Sequence, residues 1–269
     1  MQLITSFNAN LYEQYAKRMI HEFSEKSDQS VNLLVIFEGQ DLPKVNIPNV
    51  ELVEFNHPGH KDFAKKFGHL HDARGLRIIT HPNNQVQLFY DFKFDAARFS
   101  FKVFALLQAM SIMKNEIDFA WIDADIRCLR TFGKENLTRF FPDTDQLMSY
   151  LGRNNFPSTG AYSECGFLGF NSKHSNTRLF LERVASIYQS GEIFTFEQWH
   201  DSWIWDKVRN EFEDEGVKFK NISGPAANTE HPFINCELGI FFDHLKGPGR
   251  KKLGASFDDD YQLRIKNVN

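Results

Sequence analysis

Hydrophobic positions along this chain switch repeatedly between a period of two and a period near four. Gln2–Phe7 reads as a short strand, and residues 11–23 place Leu11, Tyr15, Met19 and Phe23 on one face of a helix. Residues 31–37 are almost wholly apolar and predict a buried strand. Such a strand–helix–strand opening predicts a parallel sheet with helices packed on it, and such sheets bind nucleotides at the carboxyl ends of their strands. Residues 58–84, rich in His, Gly and charge, predict loops and short helices. Residues 98–114 carry Phe99, Val103, Leu106, Leu107, Met110 and Met113 at helical spacing and lead into a strand at 117–122. Further strands are predicted at 146–151, 166–171, 217–222 and 238–243, and helices at 177–189 and 201–212. No linker or repeat interrupts the pattern, so one continuous α/β domain over residues 1–269 is expected.

Composition narrows the function classes. With 31 Lys+Arg against 35 Asp+Glu the formal net charge is −4, and 42% of the 269 residues are hydrophobic. That balance excludes a largely disordered chain and gives no basic footprint for nucleic acid. The longest apolar runs, such as residues 33–37, are far shorter than the ~20 residues of a spanning helix. The first residues lack the basic and apolar regions of a secretory leader, and three scattered cysteines, Cys128, Cys165 and Cys236, read as free buried thiols. A cytoplasmic protein, with peripheral membrane attachment left open, is the expectation. The 28 phenylalanines are read as core filling. His57 and His60, and His69 with His71 and Asp72, lack a second spaced cluster to close a metal site and are read as capping or solvated groups.

The chemistry concentrates where the apolar run Phe119-Ala120-Trp121-Ile122 ends in Asp123-Ala124-Asp125. Residues i and i+2 of an extended segment point to the same side, so the two carboxylates repel unless a cation neutralises them. Mg²⁺ or Mn²⁺ holding a diphosphate is the natural neutraliser. A solvated acid pair at a strand end is the simpler alternative. Downstream, His244-Leu245-Lys246-Gly247-Pro248-Gly249-Arg250-Lys251 combines an imidazole, a glycine-flanked turn and three cations, a set suited to a metal and a phosphate or, more simply, to a basic surface turn.

Together these segments resemble the metal-dependent GT-A glycosyltransferases, whose Asp-x-Asp closes a hydrophobic strand. The second segment resembles the His-x-x-Gly-x-x-Lys of the retaining family-eight enzymes, the glycogenin and lipopolysaccharide-galactosyltransferase group. The resemblance implies a GT-A, Rossmann-like fold, with a mixed, mostly parallel sheet. It implies a nucleotide-binding half over about residues 1–125 and an acceptor and sugar half over about 126–255. It implies that Asp123, Asp125 and His244 ligate Mn²⁺ or Mg²⁺, with Ala124 and Gly247 against the donor. Arg250 stands where the family has Lys, and the family's following Pro-Trp is absent, so the phosphate role is shared among Lys246, Arg250 and Lys251.

Four other segments match the family in order. Arg98 and Lys102, on one helix face, want an anion, and the resemblance places a basic residue of this helix near the donor diphosphate. Glu164 and Gly166 open a segment expected beneath the donor sugar, Glu164 as a sugar-hydroxyl or acid/base group or as a merely exposed strand start. Asp201, among Trp199, Trp203 and Trp205, is expected to orient the sugar or stabilise positive charge at its anomeric carbon, with helix capping as the competing role. Thr5, Phe7 and Asn8 end the first strand, where base and ribose are held; Phe7 either stacks on the base or fills the core.

The implied activity is metal-dependent transfer of a hexose from a nucleotide diphosphate sugar, UDP-linked, to a saccharide or other hydroxyl acceptor, with retention favoured over inversion. Neither nucleic acid nor an integral membrane segment is expected as a partner. A metal-dependent nucleotidyltransferase and a catalytically inactive sugar-binding scaffold are the rival readings. The former lacks its usual glycine-rich loop here.

Overall fold

The computed structural model describes residues 1–80, 85–113, 117–154 and 160–263. Its strands are β1 (Gln2–Phe7), β2 (Asn32–Phe37), β3 (Val50–Glu54), β4 (Leu76–Thr80), β5 (Val86–Tyr90), β6 (Phe119–Ile122), β7 (Ile126–Cys128), β8 (Gln146–Leu151), β9 (Glu164–Phe170), β10 (Lys218–Asn221) and β11 (Phe242–His244). Seven of them form one sheet in the order β10-β8-β9-β6-β1-β2-β3. Every pairing in it is parallel except those of β9, which runs antiparallel to both β6 and β8. The mixed, mostly parallel sheet flanked by helices is the α/β class expected from the alternation of elements.

Strand alternation sorts the core into two faces. Leu3 and Phe7 of β1, Leu33, Val35 and Phe37 of β2, and Ala120 and Ile122 of β6 pack on one side, with Tyr15, Met19 and Phe23 from the first helical segment. Their neighbours Ile4, Leu34, Ile36, Phe119 and Trp121 face the other side, against the helices Pro58–Phe67, Ala96–Ile112, Thr177–Ser190 and Asp201–Asp214. Residues 9–26 are helical throughout, with a wider π turn at Tyr12–Ala16. Phenylalanine does fill the core: most of the largest fully buried side chains are Phe.

Several expectations change. Residues 58–84 hold a ten-residue helix, Pro58–Phe67, and the β4 strand of a two-stranded antiparallel ribbon with β5; residues 81–84 lie outside the described residues, as does Lys114 at the end of the expected 98–114 helix. His57 caps the Pro58–Phe67 helix by accepting from the Gly59 N–H. Residues 238–243 are not one strand: Glu237–Ile240 is a 3-10 turn with Leu238 buried, and β11 starts only at Phe242. β3 and β7 were not expected. β3 is a half-exposed edge strand, so its apolar signal is weak, and β7 is only three residues long.

Those short strands place the site. β7 begins one residue after Asp125 and pairs antiparallel with β11, His244 opposite Ile126. The Leu245 N–H donates to the Asp125 carbonyl at 3.0 Å, and the Asp123 N–H to that of Gly166 at 3.0 Å. Segments distant in sequence are thereby fixed at the carboxyl end of β6 by main-chain hydrogen bonds.

Candidate active site

Three donor atoms converge beyond the end of β6. His244 Nε2 lies 3.4 Å from Asp123 Oδ2 and 3.3 Å from Asp125 Oδ1. Each carboxylate is aimed by its other oxygen. Asp123 Oδ1 accepts from the Trp121 indole at 2.6 Å and pairs with Lys102 at 3.1 Å. Asp125 Oδ2 pairs with Lys251 at 2.7 Å. In an octahedral shell with bonds near 2.1 Å, adjacent ligand atoms sit about 3 Å apart, so these spacings need only slight contraction to hold an Mg²⁺- or Mn²⁺-sized ion. Two carboxylate oxygens and one imidazole nitrogen are a donor set such ions accept.

The charges are mutually supporting. Burial acts to raise the Asp123 carboxyl, but Lys102, His244 and the Trp121 N–H outweigh it and hold the group far below the ordinary carboxylate range. Burial likewise opposes ionisation of Asp125, and His244 and Lys251 override it. For His244, burial disfavours the charged ring, but Asp125, Asp123 and Glu164 together raise its pKa well above the usual histidine value. All three donors belong to one electrostatic unit.

The junction they form joins two lobes of one cleft. The larger, about 1140 Å³, is lined by Tyr162, Gln198, His200, Lys246, Gly247 and Lys252 among others. The smaller, about 580 Å³, lies over the ends of β1 and β2 and is lined by Ser6, Asn8, Tyr15 and Glu38. Arg98, Asp123, Asp125, Asp201 and Lys251 line both.

Other expected residues fall inside and outside this cleft. Asp201 lies in it at the first turn of the Asp201–Asp214 helix; His200 occupies the cap position, so Asp201 is not the helix cap. Its Oδ2 is 2.6 Å from the buried Lys102 ammonium, which also donates to the Cys165 carbonyl at 2.8 Å. Lys102 thus finds its anions within the protein, at Asp123 and Asp201, and needs none from a ligand. Arg98 is exposed, hydrogen-bonds Tyr90 and lines both lobes. Asn8 caps the Ala9–Leu11 turn and lines the smaller lobe, and Ala124 lines it too.

Four roles need correcting. Phe7 is fully buried between Tyr12 and Phe37, its ring unavailable for stacking on a base. Thr5 is equally buried and touches neither lobe. Arg250 is held by Asp260 and the Lys246 carbonyl and does not line the cleft, whereas Lys251 and Lys246 do. Glu164 is 2% exposed, lies outside both lobes and contacts His244, so it is not an acid/base group facing a sugar. Gly166 serves the imidazole: a Cβ there would sit 2.7 Å from His244 Cε1.

Glu38 was missed, although a carboxylate directly after a fully apolar strand is a readable signal. It accepts from the Ser6 hydroxyl at 2.5 Å. Arg153 and Tyr162 come from segments without periodic pattern, and nothing in their local sequence marks them, whereas His200 directly precedes Asp201 in the tryptophan-rich segment. The cysteines are free and buried, as expected. No helix of the described residues is long and apolar enough to cross a membrane.

No protein-family model matches the chain, and no curated protein sequence matches it. Among solved structures it is similar to a glycosyltransferase involved in glycosylation of the major capsid of PBCV-1, with 11% identity and a TM-score of 0.49 over 94% of this chain and 98% of that one. It is similar to mouse xyloside xylosyltransferase 1, with 11% identity and a TM-score of 0.44 over 83% of this chain and 86% of that one. The galactosyltransferase LgtC, solved with donor and acceptor sugar analogues, gives 12% identity and a TM-score of 0.43 over 81% of this chain and 73% of that one.

Proposed function

We propose that this chain is a glycosyltransferase that moves a hexose from a UDP-linked donor to a hydroxyl acceptor in the cytoplasm, with Mn²⁺ or Mg²⁺ held by Asp123, Asp125 and His244. The observation that carries the reading is the position of the three converging donor atoms at the junction of two lobes. A nucleotide sugar has the same layout: a nucleoside, a diphosphate and a sugar in sequence. The nucleoside fits the smaller lobe beside Asn8 and Glu38, the diphosphate the junction, and the sugar and acceptor the larger lobe.

Departure of the nucleoside diphosphate concentrates negative charge where the cation would stand, and the bound ion supplies Lewis-acid stabilisation of that charge. Lys251, paired with Asp125, and Lys246, paired with Glu164, add positive charge beside the junction. Asp201, held by Lys102 and the Ser202 N–H, offers a fixed carboxylate to sugar hydroxyls and to positive charge developing at the anomeric carbon. The His-x-x-Gly segment favours retention, which the anomeric proton of the product reports by NMR.

Donor hydrolysis tests the reading. UDP-hexose with Mn²⁺ raises the melting temperature and is slowly hydrolysed, and chelator or Asp125→Ala abolishes hydrolysis. Full activity in chelator refutes metal dependence, and protection by nucleoside triphosphates alone moves the assignment to nucleotidyl transfer.

A further inference from the structure

Glu164 opens β9, the one strand of the main sheet that runs against its neighbours, so its side chain starts beside the acids that end β6. Its carboxylate is buried without solvent, which is costly for an ion unless its lone pairs are satisfied. They are. Oε1 lies 2.9 Å from His244 Nδ1, 2.9 Å from His231 Nε2 and 3.2 Å from Lys246 Nζ. Oε2 accepts from the Arg153 guanidinium at 3.2 Å and from the Phe233 N–H at 3.3 Å.

His244 therefore has its two ring nitrogens divided between two tasks. Nδ1 faces Glu164 and Nε2 faces the acid pair. The ring plane is fixed as well, by the missing Cβ of Gly166 on one side and by Phe233, whose ring centroid is 5.0 Å away. A carboxylate that accepts from one imidazole nitrogen keeps the proton there and leaves the other nitrogen's lone pair for a metal.

We infer that Glu164 is the positioning residue of the cation site: it accepts from His244 Nδ1 and so turns Nε2 between Asp123 and Asp125, where a cation that displaces the Nε2 proton meets the ring's lone pair, and it is itself pinned by Arg153 and His231. The inference rests on the cation reading above. Glu164, His231 and His244 could be taken for a second metal cluster, since one donor atom from each lies within 4.8 Å of the others. Both clusters draw on the same imidazole, and with Nε2 turned to Asp123 and Asp125 the Nδ1 of His244 donates its proton to Glu164 and offers no lone pair, so the stoichiometry is one ion.

Calorimetric titration of MnCl₂ into wild type, Glu164→Gln and Glu164→Ala tests this, with circular dichroism and melting to verify folding. Wild type takes up one ion. Glu164→Ala weakens binding 10- to 100-fold, and Glu164→Gln, which keeps an acceptor for the Nδ1 proton, weakens it less. A folded Glu164→Ala that binds at wild-type affinity, or two ions per wild-type chain, overturns the inference while leaving hexose transfer standing. If the variants fail to fold, ¹⁵N-histidine spectra of wild type loaded with diamagnetic Cd²⁺ decide the matter. A proton on Nδ1 with the cation shift on Nε2 supports the assignment, and the reverse tautomer overturns it. Wild type that binds no divalent cation at all brings down the cation reading itself.

Discussion

Lys102 Nζ stands 2.6 Å from Asp201 Oδ2 and 3.1 Å from Asp123 Oδ1, bridging the acid that opens the Asp201–Asp214 helix to the first acid beyond β6. Burial opposes the ammonium, yet Asp123 and Asp201 keep it charged beyond the ordinary lysine range. Removing the bridge leaves two carboxylates facing each other in a poorly solvated pocket. Lys102→Met is expected to cost about 3 kcal/mol of stability, read as a lower midpoint in urea unfolding. An unchanged midpoint would show that water screens the acids adequately.

Gly166→Ala places a methyl group within 2.7–2.8 Å of the His244 ring. The ring must rotate or β9 must shift. The expected result is a folded protein destabilised by about 1–3 kcal/mol, with Mn²⁺ affinity lowered at least about tenfold in calorimetry. Wild-type affinity in this variant would mean the imidazole relaxes without leaving its ligand position.

Glu38 sets a pH dependence. Burial raises its carboxyl to about 7, against smaller opposing effects from the Ser6 hydroxyl and Arg98. The folded protein therefore holds this proton more tightly than the unfolded chain, whose carboxyl has an ordinary value of 4.5. The resulting stabilisation is fully present below pH 4.5 and is lost as pH rises through 7. Glu38→Gln, neutral at every pH, should melt progressively higher than wild type between pH 5 and pH 8. A constant difference in melting temperature across that range argues against the shift.

Two neighbouring cations should behave differently. Lys251 touches Asp125 and lines both lobes, whereas Arg250 is committed to Asp260. Lys251→Ala is expected to weaken UDP binding in the presence of Mn²⁺ about tenfold, and Arg250→Ala to leave it within twofold while lowering the melting temperature. Equal losses of UDP affinity would restore the phosphate role to Arg250.

How much of this could be read beforehand varied with the physical signal. The helix over 98–114 and the strands at 2–7, 31–37 and 146–151 rest on strong periodicity and appear within a few residues of their expected bounds. Asp123, Asp125 and His244 were legible because strand ends and a glycine turn mark them locally, and the fold brings them together. Glu164 misled because its sequence looks like any acid before a strand. Only the reversal of β9 turns that position inward. His231 and Arg153 reach the site from aperiodic loops, where tertiary packing decides everything and local pattern decides nothing. The β4–β5 ribbon hid for a related reason: Ile78, Val86 and Leu88 stay more than half exposed, so its apolar residues report no core.

The backbone ribbon that sets His244 opposite Ile126 has one more effect. An ion clasped across it would act as a rivet between the middle of the polypeptide and its last quarter, adding to the strand pairing and the buried packing of Phe242 on Phe132 that already close that long loop. Since whatever binds only the native arrangement shifts the folding balance by mass action, trypsin should cut the C-terminal side more slowly as free Mn²⁺ rises, and faster once it is withdrawn.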